Sequence, residues 1–300
     1  MPTSRPRGVI AATATPIDTA GRPDTARLLG HCRALLEGGC DAINLLGTTG
    51  EATAFSTEER LAVMRAVAEA GLPLDRFMVG SGVCNLDDTV RLTRAACELG
   101  FAGSLVLPPF FYLDLPADGL VGYVVELARR VDHPGLAIYL YHIPQNTKVP
   151  WPVEVVQRLR GLLGATLAGL KDSAGDLAYA RAVAAAVAEF DVFPSSEAAL
   201  GNAAGDGFAG CISATVNLTA PSAQAAWGGQ GTPAGAAAVK KAGELRAIVA
   251  RYPLVAAVKA GLAARYRDNA WARVCLPLLP LDVVAAAALA EAFAQRMAQP

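Results

Sequence analysis

Five lysines occur among the 300 residues, and one of them, Lys171, directly follows an apolar run, Leu167-Ala168-Gly169-Leu170. Apolar surroundings disfavour an ammonium, so a lysine held there becomes available as an amine nucleophile toward a carbonyl. The alternative for the same residue is a lysine that snorkels to a rim and pairs with Asp172 or Asp176. Another run ends in Tyr139-Leu140-Tyr141-His142-Ile143-Pro144. A phenol at a strand end can both give a proton to a carbinolamine and take one from it. Tyr139 and Tyr141 share one face of a strand, and His142 falls on the other, where a lone histidine packs rather than catalyses. Leu45-Leu46-Gly47-Thr48-Thr49-Gly50-Glu51 sets two hydroxyls and several amides between glycines. That is a nest for a carboxylate or, more plainly, a polar turn.

These segments all sit at the ends of short β-favouring runs. The runs are Val9–Thr13, Ala42–Leu46, Phe77–Ser81, Ser104–Leu107, Leu136–Tyr141, Thr166–Leu170, Val192–Phe193 and Cys211–Ala214. Their spacing is close to the ~30 residues of a strand–helix–strand unit, and eight such units predict a closed parallel barrel. The helices between them have readable ends. Ser56 and Glu59 form a capping box, and Leu61, Met64, Val67 and Ala68 make one apolar face before Gly71. Gly100-Phe101-Ala102-Gly103 recurs as Gly207-Phe208-Ala209-Gly210, each between a helix and a strand. Beyond Trp227-Gly228-Gly229-Gln230-Gly231-Thr232-Pro233 only helical stretches follow, Ala234–Arg251, Leu254–Arg265 and Leu281–Gln299. The expected division is a barrel over residues 1–230 with the active site, and a helical extension over 231–300 packed on it. Function in such a barrel concentrates where strands run into the following loops.

Composition narrows the chemistry. The chain is 53% hydrophobic, with a mean hydropathy of +0.34, yet its longest charge-free stretch, Gly207 to Val239, is interrupted by polar residues and prolines. No bilayer span fits there. Lys and Arg number 26 against 27 Asp and Glu, and no basic stripe offers a nucleic-acid footprint. The six cysteines form no C-x-x-C pair and read as reduced core thiols of a cytoplasmic protein. Gly80-Ser81-Gly82-Val83-Cys84-Asn85 lacks the third glycine of a dinucleotide fingerprint. A metal-dependent aldolase needs a His and carboxylate cluster, but His31 lies on a helix and His133 precedes a strand. A small, neutral partner is what these features leave.

Gly47-Thr48-Thr49-Gly50-Glu51, Tyr141-His142-Ile143-Pro144 and Lys171-Asp172-Ser173-Ala174-Gly175-Asp176, in that order, resemble the dihydrodipicolinate synthase / N-acetylneuraminate lyase family. The likeness runs from Gly8 to the C-terminal helices. It implies an α/β fold, a (β/α)8 TIM barrel with a C-terminal helical extension. It also implies a homotetramer built as a dimer of dimers, and pyruvate or a related 2-oxo acid bound as a lysine Schiff base, without metal or nucleotide cofactor. By resemblance Lys171 is the Schiff-base lysine and Tyr141 the general acid/base. Thr48 and Thr49 hold the 2-oxo acid carboxylate, Thr48 also linking to Tyr141, and the Ile212 carbonyl faces the substrate.

The sequence departs from the family at the second-substrate end. Asn146 stands where lysine-pathway synthases have an arginine for a dicarboxylate partner, so no guanidinium grips a carboxylate there. Phe111 aligns with the relay tyrosine that crosses a dimer interface, with Tyr112 beside it as a replacement if the loop shifts by one residue. Ser195-Ser196-Glu197 stands where many members have a glycine, which adds Ser196 to the pocket wall. The expected activity is aldol cleavage, condensation or dehydration of a 2-keto-3-deoxy acid. The alternatives are a lysine-pathway synthase, disfavoured by Asn146 and Phe111, and a barrel that binds without catalysing.

Overall fold

The computed structural model describes residues 5–299. Eight parallel strands, β1 (Gly8–Ala12), β2 (Ala42–Leu45), β3 (Phe77–Gly80), β4 (Gly103–Val106), β5 (Ile138–His142), β6 (Leu167–Asp172), β7 (Asp191–Pro194) and β8 (Gly210–Ser213), follow one another around a barrel in the order β8-β1-β2-β3-β4-β5-β6-β7. The remaining seam, between β7 and β8, is bridged where the Ala209 amide donates to the Val192 carbonyl at 2.9 Å.

Around the strands run α1 (Thr25–Glu37), α2 (Thr57–Glu69), α3 (Leu86–Leu99), α4 (Ala117–Val131), the short α5 (Pro144–Thr147), α6 (Val153–Leu163), α7 (Leu177–Ala186) and α8 (Val216–Gly228). The predicted capping box is present at the start of α2, with Ser56 and Glu59 bonding reciprocally. Between β7 and β8 a 3₁₀ turn over Glu197–Asn202 stands where the other connections carry an α-helix. α9 (Pro233–Val249), α10 (Leu254–Tyr266) and α11 (Val283–Ala298) then pack on the barrel over their own apolar cluster, which includes Val258, Leu262 and Trp271. Among the described residues no single helix is long and apolar enough to cross a membrane.

The barrel interior is filled by Ile10, Met78, Leu105, Tyr139, Phe193 and Ile212, all essentially inaccessible. Burying side chains of this size contributes roughly 1.5–3 kcal/mol each. Tyr139 fits only because its neighbours are glycines: a Cβ at Gly103 would lie 2.6 Å, and one at Gly169 2.8 Å, from its ring. Tyr139 thus belongs to the packed interior, one layer below Tyr141.

Two expectations need correction. The sixth strand does not stop at Leu170 but pairs on through Asp172, since both neighbours continue the ladder there (Lys171↔Phe193, His142↔Asp172). Five of the six cysteines are buried, but Cys84 is exposed in the loop after β3.

Candidate active site

β5 and β6 are in register such that Tyr141 and Lys171 are direct partners at the carboxyl ends of their strands. Both point inward and are nearly inaccessible, Lys171 at 3% and Tyr141 at 4%. The Lys171 Nζ lies 4.4 Å from the centre of the Tyr141 ring. Of the two readings for Lys171, the rim ion pair is not formed: among the described residues it has no carboxylate partner. Asp172 faces away and accepts from the Ala174 amide at 2.9 Å, while Asp176 caps α7.

The Thr48 Oγ1 is 3.2 Å from the Tyr141 hydroxyl. Burial on its own pushes the Tyr141 phenol up. The Lys171 charge and hydrogen bonds from Thr48, Ser173 and Lys171 outweigh it, so the phenol sits below the ordinary tyrosine value. Such a phenol releases and recovers a proton more readily than a free tyrosine. Trp151 fixes this strand end from behind, its indole N–H donating to the Tyr141 carbonyl at 3.2 Å.

The Gly47–Gly50 loop is folded tightly against the end of β1. A Cβ at Gly50 would come within 3.0 Å of both the Thr13 carbonyl and the Thr15 hydroxyl. Leu46 and Glu51, at φ of 53° and 54°, hold left-handed conformations on either side. Backbone strain of this kind persists where the surroundings over-determine it. Here it aims Thr48 at Tyr141 and leaves Thr49 buried at 5% beside it.

Thr48, Thr49, Tyr141, Lys171, Ile212 and Asn146 all line one cavity of about 850 Å³ at the carboxyl end of the barrel. A second, apolar recess of about 240 Å³, roofed by Phe110, opens off it beside Thr48, Tyr141 and Asn146. Ser196 stands aside: it caps the Glu197–Asn202 turn through the Ala198 amide, and Ser195 lines the cavity in its place. Phe111 and Tyr112 are 76% and 70% exposed and do not reach the site of their own chain. His142, on the outer face, accepts from the Trp151 amide at 3.1 Å and stacks on Tyr179, with ring centres 3.9 Å apart. Burial pulls it down to about 4, so it is a neutral packing residue at ordinary pH. Among the described residues no cluster of three or more His, Cys, Asp or Glu is arranged to hold a metal ion.

Two contributors to the cavity were missed by sequence reasoning. Arg246 comes from α9, and Glu51, at the end of the threonine loop, forms a buried pair with Lys259 of α10. Both depend on where the C-terminal helices dock, which no local pattern near the motifs encodes.

A buried amine beside a phenol and a hydroxyl, above a packed barrel, can form an imine with a 2-oxo acid and move protons around it. Comparison with known proteins agrees with that chemistry. The profile of the dihydrodipicolinate synthetase family matches residues 5–295. An uncharacterized DapA-like lyase of Chloroflexus aurantiacus is 32% identical, over 98% of both chains. A 2-dehydro-3-deoxy-phosphogluconate/2-dehydro-3-deoxy-6-phosphogalactonate aldolase of Sulfurisphaera tokodaii is 28% identical, over 57% of this chain and 56% of its own. The crystal structure of dihydrodipicolinate synthase from Agrobacterium tumefaciens superposes with a TM-score of 0.88, at 25% identity, covering 96% of this chain and 98% of that one. The chain belongs to the dihydrodipicolinate synthetase family and is a lyase of the class I, pyruvate-dependent type.

Proposed function

We propose that this enzyme cleaves or forms a 2-keto-3-deoxy acid through an imine between Lys171 and C2 of its pyruvate unit. The observation that carries the reading is the in-register pair of Tyr141 and Lys171 beside the Thr48 hydroxyl. The loop after β5 contributes Asn146 to the same cavity and no guanidinium, which speaks against a lysine-pathway synthase.

In this reading Thr48 and Thr49 hold the carboxylate and the Lys171 amine adds to C2. The carbinolamine oxygen takes a proton through the Tyr141 phenol and leaves as water, giving a protonated imine. That imine is an electron sink. When the C3–C4 bond breaks, its electron pair flows toward the imine nitrogen and leaves an enamine. The C4 hydroxyl gives its proton to the Tyr141 oxygen and becomes the carbonyl of the departing aldehyde. The enamine then takes a proton at C3, and water hydrolyses the imine to release pyruvate. Dehydration uses the same imine: C3 gives up a proton and the C4 hydroxyl leaves with a proton as water.

The exposed Phe111, Tyr112 and Leu113 after β4 support association with further copies as a homotetramer. The direct test is pyruvate release from a panel of 2-keto-3-deoxy acids, run beside condensation of pyruvate with aspartate semialdehyde. Turnover of the panel supports the proposal. Efficient condensation with the semialdehyde and none of the panel reverses it.

A further inference from the structure

The cavity has a cation that the imine chemistry leaves unused. Arg246 reaches it from α9, over the end of β8. Its guanidinium is anchored from one side: Nη1 donates to the Ser213 hydroxyl at 3.1 Å, the Thr215 hydroxyl at 3.0 Å and a Glu197 carboxylate oxygen at 3.4 Å. Glu197 is completely buried and is itself fixed by the hydroxyls of Ser213, Thr215 and Thr219, at 2.9, 2.5 and 2.8 Å. Among the described residues, Nε and Nη2 make no hydrogen bond. A planar guanidinium held by one nitrogen presents its remaining edge in the fork geometry that suits a two-oxygen anion. The other cation near this wall, Lys259, is consumed by Glu51.

We propose that Arg246 is the specificity-determining residue that binds an oxyanion, a carboxylate or a phosphate, at the end of the substrate remote from C2. This rests on the imine reading of Lys171. It relocates the anion-binding function, missing at Asn146, to the C-terminal helices. Glu197 acts as a positioning residue, turning the free edge of the guanidinium toward the ligand.

The experiment uses the full-length enzyme and three 2-keto-3-deoxy six-carbon acids that differ only at C6: hydroxyl, phosphate or carboxylate. The unsubstituted enzyme is expected to favour one of the anionic acids over the hydroxyl compound by about 10- to 100-fold in kcat/KM, the range of charged hydrogen bonds. Which anion is favoured distinguishes phosphate from carboxylate. Arg246→Met is expected to erase the preference, mainly through KM, and Arg246→Lys to restore part of it. No preference in the unsubstituted enzyme, or a preference that survives Arg246→Met, overturns the assignment. Reductive trapping of pyruvate on the unsubstituted enzyme separates the two levels. A trapped Lys171 with no anion preference removes only the Arg246 proposal, whereas an untrapped Lys171 removes the imine reading and this inference with it.

Discussion

Beside the cavity, two ion pairs tie the barrel to the C-terminal helices, and they are built in opposite ways. Lys259 of α10 is wholly inaccessible and contacts Glu51, whose other oxygen accepts from the Cys275 amide at 2.6 Å. Every charge there is enclosed. Arg246 of α9 also meets a buried carboxylate, Glu197, but it lines the cavity and keeps 28% of its side chain exposed. A saturated pair holds structure, in this case the loop bearing Thr48 and Thr49. A half-saturated one is able to bind. The same residue classes therefore serve as an anchor on one side of the site and as a receptor on the other.

The largest expected effect comes from breaking the enclosed pair. Lys259→Met strands the Glu51 carboxylate in the interior and is expected to cost about 3–5 kcal/mol of stability, read by denaturant unfolding. A Glu51→Gln/Lys259→Met double variant recovers part of that loss, since the uncompensated charge is gone. Equal losses in both would show that packing, not charge, dominates this anchor.

Another tie between barrel and extension carries no charge at neutral pH, and acid should single it out. His31 of α1 lies 2.7 Å from the Tyr266 hydroxyl and 2.9 Å from the Asn217 amide oxygen. Burial, opposed by the Asn217 hydrogen bond and reinforced by Arg265, lowers it from 6.5 to about 4. Between those values the unfolded chain binds the proton and the folded one does not, so stability falls as pH drops from about 6.5 to 4. The loss from this group amounts to roughly 3 kcal/mol at the bottom of the window, at 1.36 kcal/mol per pH unit. Thermal unfolding across that range should flatten in His31→Gln. An unchanged slope would assign the acid sensitivity elsewhere, His142 being the other buried histidine shifted the same way.

The smallest stability change is expected at Arg246. Its removal leaves Glu197 with three hydroxyl donors, so Arg246→Met should cost no more than about 1–2 kcal/mol. If it destabilises the protein as much as Lys259→Met does, the contrast between anchor and receptor fails.

How much of this the sequence discloses follows from where each feature is encoded. The strands and their ends are local, and so Lys171, Tyr141 and Thr48 could be found from apolar runs and the residues that close them. The extra pairing of β6 through Asp172 was not legible, because it depends on β5 and β7 continuing alongside. The choice between Ser195 and Ser196 rests on how the chain turns after Pro194, which no periodicity settles in so short a segment. Arg246 is one of 21 arginines, on an outer helix 75 residues beyond Lys171, and nothing nearby marks it. Its role arises only when α9 is laid across the end of β8. The Glu51–Lys259 pair likewise joins residues 208 positions apart.

The central claim is that Lys171 forms an imine with a 2-oxo acid. Incubating the enzyme with pyruvate, reducing with borohydride and mapping the modified peptide tests it most directly. A single adduct on Lys171, lost in Lys171→Met and slowed in Tyr141→Phe, is the predicted result. No adduct at millimolar pyruvate, or an adduct on another of the five lysines, would contradict it.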